Sequence, residues 1–136
     1  MGSPVYFGAE TGLFRNFMER LLFPLTKYSD PPESFAVKRM PLAFVYAMNV
    51  TEEEVGEYGY DRFMKLTRSF AKKLLSSREV ETLCVCDTWQ FDDYSRYESS
   101  RFDPVHKAEV REKRFPIDCR NAFELGKRIA LGGTTA

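Results

Sequence analysis

Two short apolar runs set the architecture open to this chain. Residues 41–48 read PLAFVYAM, apolar at every position after the proline, and residues 80–86 read VETLCVC. A strand that is apolar on both faces needs cover on both faces, which puts it inside a parallel sheet flanked by helices. Between the runs, Phe63, Met64, Thr67, Phe70, Ala71, Leu74 and Leu75 recur at helical spacing, while Lys65, Arg68, Lys72 and Lys73 take the wet side. Strand, helix, strand over about 45 residues is a βαβ unit with a right-handed crossover.

Further helices flank this unit. The opening GSPVYFGAETG is Gly-rich and reads as a turn. Leu13, Phe14, Phe17, Met18, Leu21, Leu22 and Leu25 then form one continuous apolar stripe. Pro24 clashes with a carbonyl four residues back, so this helix ends or kinks near Leu22, before a loop with Asp30, Pro31 and Pro32. Thr51 and Glu54 have capping-box spacing, and Gly56 and Gly59 separate that turn from the main helix. Residues 87–116 form a long polar stretch rich in aromatics, the kind of excursion that carries function in a compact domain. A last helix, capped by Asp118, is expected to bury Cys119, Ala122, Phe123, Gly126 and Ile129 and to stop at Gly132 and Gly133. Three helices and two strands fall short of the roughly five strands of a doubly wound α/β domain. The chain is therefore expected to be an incomplete sheet whose first strands are missing.

Composition excludes several functions. The chain has 136 residues, enough for a single domain, and 20 basic against 20 acidic side chains with no basic stripe. Nucleic acid is not its partner on that balance. No apolar run reaches the ~20 residues of a membrane span, and no export signal is visible. Three cysteines, Cys84, Cys86 and Cys119, are an odd set that suits reduced thiols in the cytoplasm. His106 is the only histidine, so no metal site built on histidines is expected. The aromatic share of 15% calls for a rich core or for flat surfaces facing a flat ligand.

The start of the chain carries the most specific signal. Gly2, Ser3, Pro4, Tyr6, Gly8, Gly12, Phe17, Glu19 and Arg20 stand in a Gly-Ser-Pro-x-Tyr pattern, a small-residue turn and a helix ending in Glu-Arg. This resembles the loop and helix after the third strand in the flavodoxin-like NAD(P)H-dependent FMN reductase family, including its iron–sulfur flavoprotein branch. The later strands, the helix from Tyr60 and a closing helix with Glu124-Leu125-Gly126 extend the resemblance over essentially the whole chain. It implies a single flavodoxin-like domain, of which the chain holds the C-terminal portion. The family's phosphate-binding loop and first strands have no counterpart in the sequence.

The resemblance implies FMN as cofactor, NAD(P)H as co-substrate and a quinone, flavin or iron–sulfur acceptor, with a homodimer as one assembly. Ser3, Pro4, Val5, Tyr6 and Phe7 are then the flavin-contacting positions. Asn49, beyond the first apolar strand, is set to donate to a flavin carbonyl or to serve as a turn residue. Trp89, within residues 87–91 beyond the second strand, is set to stack near the ring or to pack at a surface. Two alternatives stand beside the reductase: a flavodoxin-type electron carrier, and a truncated, non-catalytic remnant unable to hold flavin.

Overall fold

A computed structural model describes residues 1–31, 33–76 and 78–131. Pro32 of the expected loop, and Gly132 and Gly133 of the expected helix stop, lie outside them. The chain forms an α/β structure around an open, mostly parallel sheet. Strand β1 (Gly2–Tyr6) runs into a short β2 (Ala9–Glu10), helix α1 (Gly12–Leu22) and strand β3 (Ala43–Ala47). Helices α2 (Glu52–Glu57) and α3 (Asp61–Leu74) lead to β4 (Glu81–Val85), and α4 (Pro104–Lys113) and α5 (Phe115–Ala130) follow. The strand order is β2-β1-β3-β4, with β1, β3 and β4 parallel and β2 antiparallel to β1.

The opening segment corrects the first expectation. Gly2–Tyr6 is a strand, paired with β3 from Gly2 against Val45 to Pro4 against Ala47, not a turn-like loop. Its glycine and proline hide a period of two: Ser3 and Val5 point into the core and Pro4 and Tyr6 point out. The short β2 pairs only with Val5 and Tyr6, so Pro4 stands beside an open stretch of β1, where a residue without an N–H is tolerated. Phe7 and Gly8 make the two-residue turn into β2, with φ of 52° and 76°. Two positive φ angles in sequence match the right-handed twist of a hairpin. At Gly8 a Cβ would also come within 3.3 Å of the Tyr60 ring.

One face of the sheet holds the core. Val5, Phe44 and Tyr46 meet Phe14 and Met18 of α1 and Met64 and Ala71 of α3. Phe44 and Tyr46 are fully buried, stacked at 6.0 Å, with Phe14 edge-on to Phe44 at 6.1 Å and Phe63 edge-on to Tyr46 at 5.5 Å. Glu10 is bonded from below by Thr67 Oγ1 and Tyr46 OH, which ties the hairpin to α3. Cys84 of β4 and Cys86, just past its end, both pack with this core. Burial pushes both thiols up, Cys86 to about 12.

The helices depart from expectation where apolar stripes meet the solvent. Leu13 and Phe17 of α1, Phe70 of α3 and Phe123 of α5 are exposed. Helix α5 begins at Phe115, so Asp118 lies inside it rather than capping it, and Cys119 is exposed. The stretch from 87 to 116 is not one loop, because α4 occupies its last third. The expected end of α1 at Leu22 and the capping box of Thr51 and Glu54 both match the structure.

Candidate functional site

In open α/β sheets, ligands collect beyond the carboxyl ends of the strands. Here those ends are the Tyr6–Gly8 turn, residues 48–51 and residues 87–90. Backbone bonds lock the last two together: Met48 N donates to Val85 O at 2.9 Å, Thr88 N to Met48 O at 3.1 Å, and Asp87 N to Val50 O at 2.8 Å. Asp87 reaches this last bond with φ at 54°, a left-handed backbone that aspartate adopts more readily than most residues.

Two large clefts open on this rim, beside a smaller one of about 250 Å³ between Trp89 and Arg111. The first, of about 570 Å³, lies on the sheet face opposite the core, walled by Pro4, Tyr6, Asn49, Trp89, Gln90 and Phe115, with Val5 at its border. The second, of about 640 Å³, lies between α2 and α4 and is lined by Asn49, Tyr58, Arg101, Phe102, His106 and Lys107. Asn49 belongs to both.

Lys107 is the hub between them. It is the one buried residue of α4, at 3% exposure. Its ammonium donates to Asn49 O at 3.1 Å, to Asn49 Oδ1 and to Asp87 Oδ1, and it lies 5.5 Å from the centre of the Phe102 ring. His106 Nε2 meets the other Asp87 oxygen at 2.6 Å. Burial alone would raise the Asp87 carboxyl. The bonds from Lys107 and His106 outweigh it and hold the group below the usual carboxylate range.

The structure brings five of the expected site residues, Pro4, Val5, Tyr6, Asn49 and Trp89, around one cleft. Ser3 is not on its surface: it is buried, and its Oγ accepts from Thr11 N at 3.2 Å and donates to Pro4 O at 2.8 Å. Val5 is chiefly a core residue. Phe7 is fully exposed at the hairpin tip, outside the cleft wall. Trp89 packs edge-on to Tyr94 at 5.0 Å beneath Arg111, and its indole Nε1 is buried with no hydrogen-bond partner among the described residues. Tyr94, Tyr97, Phe91 and Phe102 form an aromatic cluster that packs the excursion upon itself, with Tyr94 buried.

Sequence reading missed Lys107 and His106. A buried lysine carries no hydrophobic periodicity, so the helix that presents it is silent in the pattern. The available signal was Asp103-Pro104, a cap followed by a proline at the first helical position.

Among the described residues no group of histidine, cysteine, aspartate and glutamate is arranged to hold a metal, and no helix is long and apolar enough to cross a membrane. Compared with protein-family models, curated proteins and solved structures, the chain matches none.

Proposed function

We propose that the chain carries the ring-binding side of an FMN-dependent oxidoreductase on a flavodoxin-like sheet, moving hydride or electrons from NAD(P)H to a quinone, flavin or iron–sulfur acceptor. One observation carries this reading: Pro4, Tyr6, Asn49 and Trp89, chosen from sequence, line one cleft at the carboxyl rim of the sheet. That cleft is walled by flat aromatic and small apolar groups and has an amide at its polar corner, which suits a planar heteroaromatic ring. FMN, when bound, would supply the two-electron chemistry. The chain's own part is to hold the ring between Tyr6 and the Trp89 side, to present Asn49 to its edge, and to keep water from one ring face.

The fit is limited to the ring. A phosphate is commonly held by free amides at a helix N-terminus. At four starts on this rim amides already have partners. Thr11 caps α1, Thr51 and Glu54 close a box on α2, and Asp103 caps α4. At α5, Pro116 has no N–H, while Ile117 N and Asp118 N donate to Arg114 O. Helix α3 starts without a side-chain cap. A phosphate thus meets competition for the amides at four of the helix starts, which favours weak FMN binding as the second reading. The affinities for FMN and riboflavin are expected to agree within about threefold, which is less than the ~1.4 kcal/mol of a tenfold ratio.

The deciding experiment is a visible spectrum of the purified chain with added FMN, before and after NADPH. A bound flavin band that bleaches is the expected result. Bound flavin indifferent to NADPH marks a one-electron carrier instead, and a protein that stays colourless sinks both readings. FMN binding a hundredfold tighter than riboflavin would disprove this competition.

A further inference from the structure

An ammonium group has three donors and no acceptor. Whatever faces it must be an acceptor, so Lys107 admits only the oxygen end of the Asn49 amide. The contacts agree: Lys107 Nζ takes both the backbone oxygen and Oδ1 of Asn49, while Asn49 Nδ2 is turned to Gln90 Oε1 at the cleft. Gln90 uses one of the two Nδ2 protons and is itself exposed on the rim. The other proton is left for a group in the cleft that Asn49, Gln90 and Trp89 line.

We propose that Lys107 is a positioning residue, which fixes the Asn49 amide so that the cleft presents a donor and selects a planar ligand by a carbonyl or ring-nitrogen acceptor on its edge. The proposal rests on the flavin reading for the identity of that ligand, and on the hydrogen-bond geometry alone for the role of Lys107. Burial makes the arrangement stiff. Lys107 is enclosed, and Asp87, itself held by His106 and by its backbone bond to Val50, balances its charge. Asn49 cannot flip without setting an N–H against the ammonium, an arrangement that leaves a buried donor unsatisfied.

Two measurements test this on the full chain. The first needs no ligand. In ¹⁵N-labelled protein the Asn49 side-chain amide pair is identified by its loss in Asn49→Asp and is expected well away from the free-amide position. In Lys107→Met it should move to that position, and Lys107→Gln, which keeps an N–H donor, should restore part of the displacement. A pair that stays put in Lys107→Met overturns the proposal, and if that variant does not fold, an undisplaced pair in the wild type does so equally.

The second follows FMN by quenching of its fluorescence. Asn49→Asp keeps a partner for Lys107 but removes the donor, and should weaken FMN about tenfold, the worth of one well-placed hydrogen bond. Lys107→Met should weaken it comparably, and the double variant no further than Asn49→Asp alone. Additive losses would show that Lys107 does not act through Asn49. A wild-type chain that takes no FMN counts against the flavin reading, and the amide spectrum then decides the role of Lys107.

Discussion

The two faces of the sheet are built from alternate residues of the same strands, yet they are finished differently. On the α1–α3 side, Phe44 and Tyr46 are wholly enclosed by aromatic and methionine side chains. On the α5 side, Val45 and Ala47, their neighbours in sequence, are half-buried and border a cleft. The difference assigns the work. The closed face supplies the burial that holds the chain folded, and the open face leaves apolar surface that a flat ligand can cover. Two substitutions one residue apart test this division most directly. Phe44→Ala empties a closed site and should cost about 4 kcal/mol in urea unfolding. Val45→Ala removes two methyl groups from a half-open site and should cost about 1 kcal/mol. Equal losses would break the contrast between the faces.

The polar rim invites the next comparison, because it is buried without being apolar. Lys107→Met leaves Asn49 and Asp87 facing a thioether. Breaking a buried pair in this way costs about 3 kcal/mol, at the low end because Asp87 keeps His106 and is partly exposed. The pH dependence has a definite sign. The folded Asp87 carboxyl is lowered, with burial opposing and Lys107 and His106 outweighing it. Its ion pairs therefore stabilise the fold above the ordinary carboxylate range, and that contribution is lost as the pH falls toward the lowered folded value. Urea midpoints should drop on acidification, and by less in Asp87→Asn than in the wild type. An equal drop in both would remove Asp87 from the account.

These two regions also differ in how far the sequence discloses them. The closed face was legible because its signals are local and periodic: apolar runs at 41–48 and 80–86, the Met64–Ala71 stripe, and the cap at Thr51. Strand β1 was hidden because Gly2 and Pro4 occupy its outward positions, so the period of two had only Ser3 and Val5 to show itself. The exposed faces of Leu13, Phe17 and Phe123 could not be foreseen, since periodicity shows that a stripe exists but not whether a neighbour covers it. The site divides in the same way. Pro4, Tyr6, Asn49 and Trp89 follow from their places at strand ends, whereas Lys107 reaches the rim from 58 residues beyond Asn49. Only the packing of α4 makes that lysine a buried partner.

The hairpin tip offers the smallest effect and the sharpest conflict between the two roles. Phe7 holds a left-handed backbone at φ 52° and exposes its whole ring, so it is unfavourable both in conformation and in solvation. A left-handed residue with a Cβ costs roughly 1–2 kcal/mol, and asparagine before Gly8 gives the Asn-Gly pair that this turn favours. Phe7→Asn should therefore stabilise the fold by about 1 kcal/mol, read as a higher urea midpoint with an unchanged slope. Nothing in the packing of the described residues accounts for a phenylalanine at this place, and burial against a bound ring would. The same variant should then bind FMN severalfold more weakly, short of the ~1.4 kcal/mol that makes a tenfold change. A gain in stability with unchanged FMN affinity would take Phe7 out of the site and leave Pro4 and Tyr6 of β1 as the hairpin's contribution to the cleft wall.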